Sequence, residues 1–184
     1  MKMRVYSFVV EGTGFSLYWS NLGLQGLSMK DASEATPSSS GATSSTGATS
    51  STGNPPSFVL DAAKSLESYL LCGNAQFDEI PIDMSKVSSF TSNVLKETRR
   101  IPSGSWTTYG ELSSRIGSKG AARAVGRALS SNPLPLIIPC HRVLATGNSL
   151  GGYSAPGGKK LKLELLAKEG AEIPGKKLGL TYDP

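Results

Sequence analysis

Histidine is nearly missing from this chain, with one residue, His141, among 184. Cysteine is almost as scarce: Cys72 and Cys140 are the only two, too few for a disulfide framework. No apolar run approaches the roughly 20 residues that a membrane-spanning helix needs, and no charged-then-apolar leader opens the chain. Together these absences predict an intracellular protein in a reducing compartment, without a membrane partner. Dense lysine tracts are missing too, which excludes a disordered nucleic-acid tail.

What charge there is lies unevenly. Residues 1–95 hold five Lys/Arg against eight Asp/Glu, whereas residues 96–184 hold fourteen against six, within an overall net charge of +5. A basic half of this kind suits a polyanion; an ordinary solvated basic face gives the same count.

Residues 3–29 contain three short β-prone runs around Val5–Val10, Phe15–Trp19 and Leu22–Leu27, separated by Gly12, Gly14 and Asn21-Leu22-Gly23. Residues 31–56 then collapse to Ser, Thr, Gly, Ala and Pro, with Gly-Ala-Thr-Ser-Ser-Thr twice in succession. Such a segment buries too little apolar surface to offset its ordering entropy and reads as a flexible loop. Ser57 is a candidate N-cap for a helix with Leu60, Leu66, Tyr69, Leu70 and Cys72 on its apolar stripe, stopped by Gly73. That spacing predicts an inert, packed Cys72. Ser88 and Ser89 open another helix, with Phe90, Val94 and Leu95 on one face, ending at Ile101-Pro102.

Thr108 and Glu111 form a capping-box pattern ahead of a helix over 109–116. Residues 117–120 make a glycine-containing turn, and 121–129 form a second helix. The pair describes a helix-turn-helix, a pattern that packed helical hairpins unrelated to DNA share. Ala121, Ala122, Ala124 and Gly126 give the second helix a small face, suited either to another helix or to a nucleic-acid groove. Arg123 and Arg127, at i and i+4, put two cations on one side. Asn132-Pro133-Leu134-Pro135 interrupts, residues 136–138 predict a short buried strand, and Cys140-His141 follows. An imidazole next to a thiol is a common device for making a thiolate nucleophile, while a free cysteine is equally a common buried apolar residue. A glycine-rich loop over 147–152 leads to a last helix over 158–168, with Leu161, Leu165 and Leu166 inward and Glu169 at its end.

Several of these segments resemble one family. Arg123-Ala124-Val125-Gly126, the run Asn132-Pro133-Leu134-Pro135-Leu136-Ile137-Ile138-Pro139-Cys140-His141-Arg142-Val143, Tyr153-Ser154 and Leu165-Leu166-Ala167-Lys168-Glu169-Gly170 are similar to motifs of the O6-alkylguanine-DNA alkyltransferases. Ile101-Pro102, Gly104 and Thr108-Tyr109-Gly110 look like the same family's approach to its helix-turn-helix. The resemblance covers residues 88–170, is weak over the N-terminal sheet and is absent from the Ser/Thr-rich segment.

It implies a fold and a chemistry. The fold is an α/β N-terminal domain over 1–84, a small antiparallel sheet plus helix. A mostly α-helical helix-turn-helix domain over 85–184 follows and carries the cysteine. The activity is direct-reversal DNA repair: Cys140 accepts an alkyl group from O6 of guanine, and possibly O4 of thymine, once and irreversibly, after the base is flipped out. The resemblance gives His141 the thiol proton through a bound water, and has Glu169 orient the imidazole. Asn132 shapes the active-site turn and Tyr109 donates to guanine N3. Arg123 fills the gap left by the flipped base, or makes an ordinary phosphate contact. Ala122 and Ala124 line the groove face; Tyr153 walls the pocket or packs in the core. Ser154 donates to O6, the carbonyls of Cys140 and Val143 read the guanine amino group, and Leu129 and Pro135 line the pocket. Arg127 stands where relatives often have glycine, and adds a phosphate contact or alters the approach to DNA. No cofactor is implied, and no metal: Cys72 alone cannot build the N-terminal zinc site of some relatives. The implied partner is double-stranded DNA met by a monomer, in the cytoplasm of a prokaryote or the nucleus of a eukaryote. The alternative is a lesion-binding relative that transfers nothing.

Overall fold

In the computed structural model the described residues are 4–31, 49–50, 54–73 and 75–175. Chain contacts divide the protein into two compact units, residues 1–71 with 75–86, and residues 72–74 with 87–184.

The first unit is a small antiparallel sheet of β1 (Arg4–Val10), β2 (Thr13–Ser20) and β3 (Gly23–Asp31), with β4 (Thr49–Ser50) on the far edge of β1. β4 falls inside the segment expected to be a flexible loop, so two residues of that segment pair with the sheet; residues 32–48 and 51–53 lie outside the described residues. Alternation along β2 sends Phe15, Leu17 and Trp19 inward, all at most 4% exposed, to meet Phe8 and Val10 of β1. Helix α1 (Ser57–Cys72) covers residues of the same unit. Pro56, not Ser57, stands at its cap, because the Pro56 carbonyl accepts from the Leu60 N–H at 3.4 Å. Its buried stripe is Val59, Ala62, Ala63, Leu66 and Tyr69. Leu60 and Cys72 each sit about 120° from Leu66 at 100° per residue. Both are therefore exposed, and the packed Cys72 expected from the sequence is not what the helix produces.

The second unit carries everything the chemistry needs. Helix α2 (Ser89–Arg99) is capped by Ser88, whose hydroxyl oxygen accepts from the Thr91 N–H at 3.2 Å. Val94 and Leu95 are buried on one face, with Phe90 only half-buried beside them. Helix α3 (Tyr109–Arg115) opens with the full capping box: the Glu111 N–H donates to Thr108 Oγ1 at 3.1 Å and the Thr108 N–H to Glu111 Oε2 at 2.8 Å. A turn leads to α4 (Ala122–Ser130), and Leu112 and Val125 are buried where the helix-turn-helix packs.

Residues 136–138 do not form the expected strand. They make a tight turn in which the Ile138 N–H donates to the Leu134 carbonyl at 2.8 Å and Leu136 adopts a φ of +72°, left-handed backbone that a branched side chain enters at a cost. The turn runs into a single 3-10 turn over Cys140–Arg142 and then β6 (Val143–Leu144), which pairs in parallel with β5 (Thr107–Thr108). That two-residue pairing sets the start of α3 beside the exit from the cysteine turn. Helix α5 (Gly158–Lys168) closes the unit, and its C-cap is Glu169. Its buried face is Lys162, Leu165 and Leu166, with Leu161 half-buried rather than inward.

Because the capping box satisfies two otherwise unpaired N–H donors, Thr108→Ala should destabilise the protein by about 1 kcal/mol. A urea midpoint shifted down at unchanged slope is the expected reading; an unmoved midpoint would show that β5 already holds this helix start.

Candidate active site

Asn132 organises the cysteine turn from just beyond the end of α4. Its side-chain oxygen accepts from the Leu134 N–H at 3.0 Å, closing a local turn, while its Nδ2 donates to the Ile138 carbonyl at 2.9 Å and to Cys140 Sγ at 3.2 Å. One amide thus fixes the strained 132–138 loop and aims a donor at the sulfur. Cys140 is 7% exposed. Burial pushes its thiol above the usual range; the Asn132 donor and the Lys162 ammonium pull the other way and do not overcome it. The resting sulfur is therefore protonated at neutral pH.

His141, next in sequence, is fully buried, and its Nε2 lies 2.8 Å from Glu169 Oε1. A carboxylate can only accept there, so Nε2 carries the proton and Nδ1 the lone pair. Burial holds this imidazole below its ordinary value despite the carboxylate, with Arg142 and Lys162 opposing the charged form as well. Arg142 binds the same carboxylate in fork geometry, Nε to Oε2 and Nη2 to Oε1, both at 2.9 Å, and donates through Nη1 to the Ile101 carbonyl. The Gly104 N–H adds a long contact of 3.4 Å to Oε2. Charge in this interior is paired and hydrogen-bonded, which is the condition for keeping it there.

Beside the thiol opens a cavity of about 580 Å³. Ala122, Arg123, Gly126, Leu129 and Ser130 of α4 form one wall; Tyr109 of α3, and Gly152, Tyr153 and Ser154 of the loop before α5, form others. Gly126 has no side chain to separate α4 from Tyr109: a Cβ there would stand 3.9 Å from the ring. Gly151 presses closer still. A Cβ would come within 3.0 Å of the ring, and its φ of +67° also favours glycine. Tyr109 is held as a phenol, its acidity weakened by burial and by the Cys140 sulfur. Burial raises Tyr153 further, and its hydroxyl finds no hydrogen-bond partner among the described residues.

The structure thus brings Cys140, His141, Glu169, Asn132 and Tyr109 into one neighbourhood, with Arg123, Ala122, Tyr153, Ser154 and Leu129 around the opening. Ala124 and Arg127 are exposed on α4 and do not line the cavity. Pro135 and Val143 do not line it either; Val143 is buried, and its carbonyl accepts from Lys162 at 2.6 Å. Two residues that the sequence reading passed over belong here. Arg142 was hidden inside the motif, read as a neighbour of His141 and nothing more. Lys162 carried a legible signal: at i−3 and i−4 from Leu165 and Leu166, it is a lysine on an apolar stripe.

A buried thiol beside an imidazole–carboxylate pair, set against a cavity walled by the second helix of a helix-turn-helix, defines a class: a DNA-facing protein whose reacting atom is a sulfur. Residues 89–171 match the family model described as 6-O-methylguanine DNA methyltransferase, DNA binding domain. A methylated-DNA–protein-cysteine methyltransferase of Metallosphaera sedula is 44% identical over 110 residues, 60% of this chain and 67% of the relative. One from Methanothermobacter thermautotrophicus is 38% identical over 122 residues, 66% and 67%. The crystal structure of Mycobacterium tuberculosis OGT in complex with DNA superposes with a TM-score of 0.67 at 27% identity, over 92% of this chain and 95% of that one. This chain belongs to the methylated-DNA–protein-cysteine methyltransferase family.

Asn132→Asp keeps the acceptor for Leu134 but removes the donor to the sulfur, so the thiol should ionise less readily. A hydrogen bond to a charged group contributes about 1.5–3 kcal/mol, or roughly 1–2 pH units. The pH profile of Cys140 alkylation by iodoacetamide should move up by about that much, and a profile left in place would remove Asn132 from the thiol's electrostatics.

Proposed function

We propose that this protein, acting as a monomer on double-stranded DNA, repairs O6-alkylguanine by taking the alkyl group onto Cys140. One observation carries the reading: Cys140 Sγ, held by Asn132 at 3.2 Å, borders a cavity whose opposite wall is the arginine-bearing helix α4. Inside a duplex, O6 is out of reach of a side-chain nucleophile, so the lesion must leave the stack and enter such a cavity. Arg123, exposed near the start of α4, takes the vacated place. Ala122 and Ala124 keep that helix face small enough for the minor groove, and Arg127 offers a cation to the phosphates.

The chemistry then balances on these residues. His141 Nδ1 receives the thiol proton through an intervening water. The sulfur forms a bond to the alkyl carbon as the carbon–O6 bond breaks, and the bonding pair leaves with the guanine. Tyr109, kept protonated by its surroundings, donates a hydrogen bond to N3 and limits the charge on the departing base. Ser154 serves O6, and the thiol's proton finally resides on the released guanine. Glu169 holds the imidazole in the required tautomer and stabilises the imidazolium while it lasts. The product is a thioether without a usable leaving group, so each molecule reacts once.

Incubation with duplex DNA containing O6-methylguanine should add one methyl to the protein in place of one hydrogen, on the peptide bearing Cys140. Cys140→Ala should bind the lesion without that gain. A wild-type protein that binds the lesion and stays unmodified would instead be a lesion binder that transfers nothing. Arg123→Ala should slow transfer from duplex at least tenfold more than transfer from free O6-benzylguanine, since only the duplex requires extrusion; equal slowing on both would remove Arg123 from base flipping.

A further inference from the structure

Lys162 is a fully buried lysine that the reaction above does not use. Its ammonium donates to the carbonyls of Val143 and Leu150 at 2.6 Å each and of Gly152 at 3.3 Å, so three acceptors meet its three protons. It also lies 5.9 Å from the centroid of the Tyr109 ring. The groups around it are the parts of the cavity: Val143 directly follows the Cys140–Arg142 turn, Gly152 precedes Tyr153 and Ser154, and Tyr109 comes from α3. No other described side chain donates to this loop at two or more of its carbonyls.

Stability does not explain such a residue. A desolvated ammonium costs several kcal/mol even after relaxation, and an apolar side chain of the same length would pack on the α5 stripe more cheaply. Its own proton affinity agrees: burial lowers the lysine to about 8, against an opposing pull from Cys140. A group whose proton is held more weakly folded than unfolded makes the protein less stable at neutral pH than it would be well above that value. The charge is retained against that gradient.

We propose that Lys162 is a positioning residue for the alkyl transfer, a backbone clamp that ties the 143–152 segment and Tyr109 together beneath the Cys140 cavity. The proposal rests on the alkyl-transfer reading of this site. By holding three carbonyls, the ammonium sets where Gly152, Tyr153 and Ser154 stand against the incoming base, at the distances that make the sulfur an in-line nucleophile. The ionisable groups facing it are Cys140 and His141 on the catalytic turn and Tyr109 on α3; Lys162 favours the thiolate of the first and disfavours protonation of the second.

Lys162→Met keeps length and apolar contact while removing the ammonium. In single-turnover reaction with free O6-benzylguanine, its limiting rate should fall on the order of 10²-fold, with a much smaller change in half-saturating concentration. A folded variant reacting within about twofold of wild type would overturn the clamp. If that variant does not fold, the decision passes to an NMR titration of the Cys140→Ala protein, in which no active-site thiol titrates. Amide signals of Gly151, Gly152 and Tyr153 should move together with a midpoint at or below about 8; signals static from about pH 7 to 9.5 would overturn the proposal. A wild-type protein inert toward both free and duplex substrate would sink the alkyl-transfer reading itself. A reactive wild type with an unimpaired Met variant sinks only the clamp.

Discussion

The carboxylate of Glu169 is the joint on which the second unit depends. Its two oxygens take Nε2 of His141, the two-pronged guanidinium of Arg142 and the Gly104 N–H, so the end of α5, the cysteine turn and the loop after α2 all meet at one anion. Both carboxylate and imidazole are fully buried. Removing one member of such a cluster leaves an uncompensated charge, typically at 3–5 kcal/mol, far more than an exposed ion pair contributes. The contrast with Lys160–Glu164, an exposed pair at 3.9 Å, is instructive: that contact decorates α5, whereas Glu169 anchors it.

Around that joint, the electrostatics keep the site neutral until a substrate arrives. Burial raises the Cys140 thiol and lowers His141, so thiolate and imidazolium are both disfavoured at rest. Asn132 and Lys162 lean the opposite way, offering a donor and a positive charge to a sulfur that becomes anionic only as its proton leaves. A thiol arranged like this avoids indiscriminate alkylation. Its reactivity is coupled to filling the cavity, where stronger interactions in a water-poor site act on the charge that develops. Single use makes that restraint valuable, since every stray reaction consumes a whole protein.

Much of this was readable in the chain. Strand alternation in β2, the Ser88 cap, the capping box of Thr108 and Glu111 and the small face of α4 each depend on neighbours within a few residues, and each took the expected form. The failures share a cause. Cys72 and Leu60 were placed on a stripe by apolar character, yet the angular positions around Leu66 leave both in solvent. Residues 136–138 are apolar enough for a strand, but flanking prolines and the Asn132 amide bend them into a turn with a left-handed leucine. Lys162 was overlooked because lysine seldom occupies a buried stripe; its partners are backbone carbonyls, which no sequence pattern announces.

By itself, the amino-acid order determined the local elements and the identity of the reacting atom. With one histidine and one cysteine beside it, the chemistry had nowhere else to go. Only the tertiary structure decided how those atoms are poised. Glu169 reaches His141 across 28 positions, Arg142 reaches the Ile101 carbonyl across 41, and the parallel pairing of β5 with β6 brings Tyr109 to the cysteine turn. Burial, and with it the protonation of thiol, imidazole and ammonium, is a property of what packs around a group. A linear chain specifies that environment without displaying it.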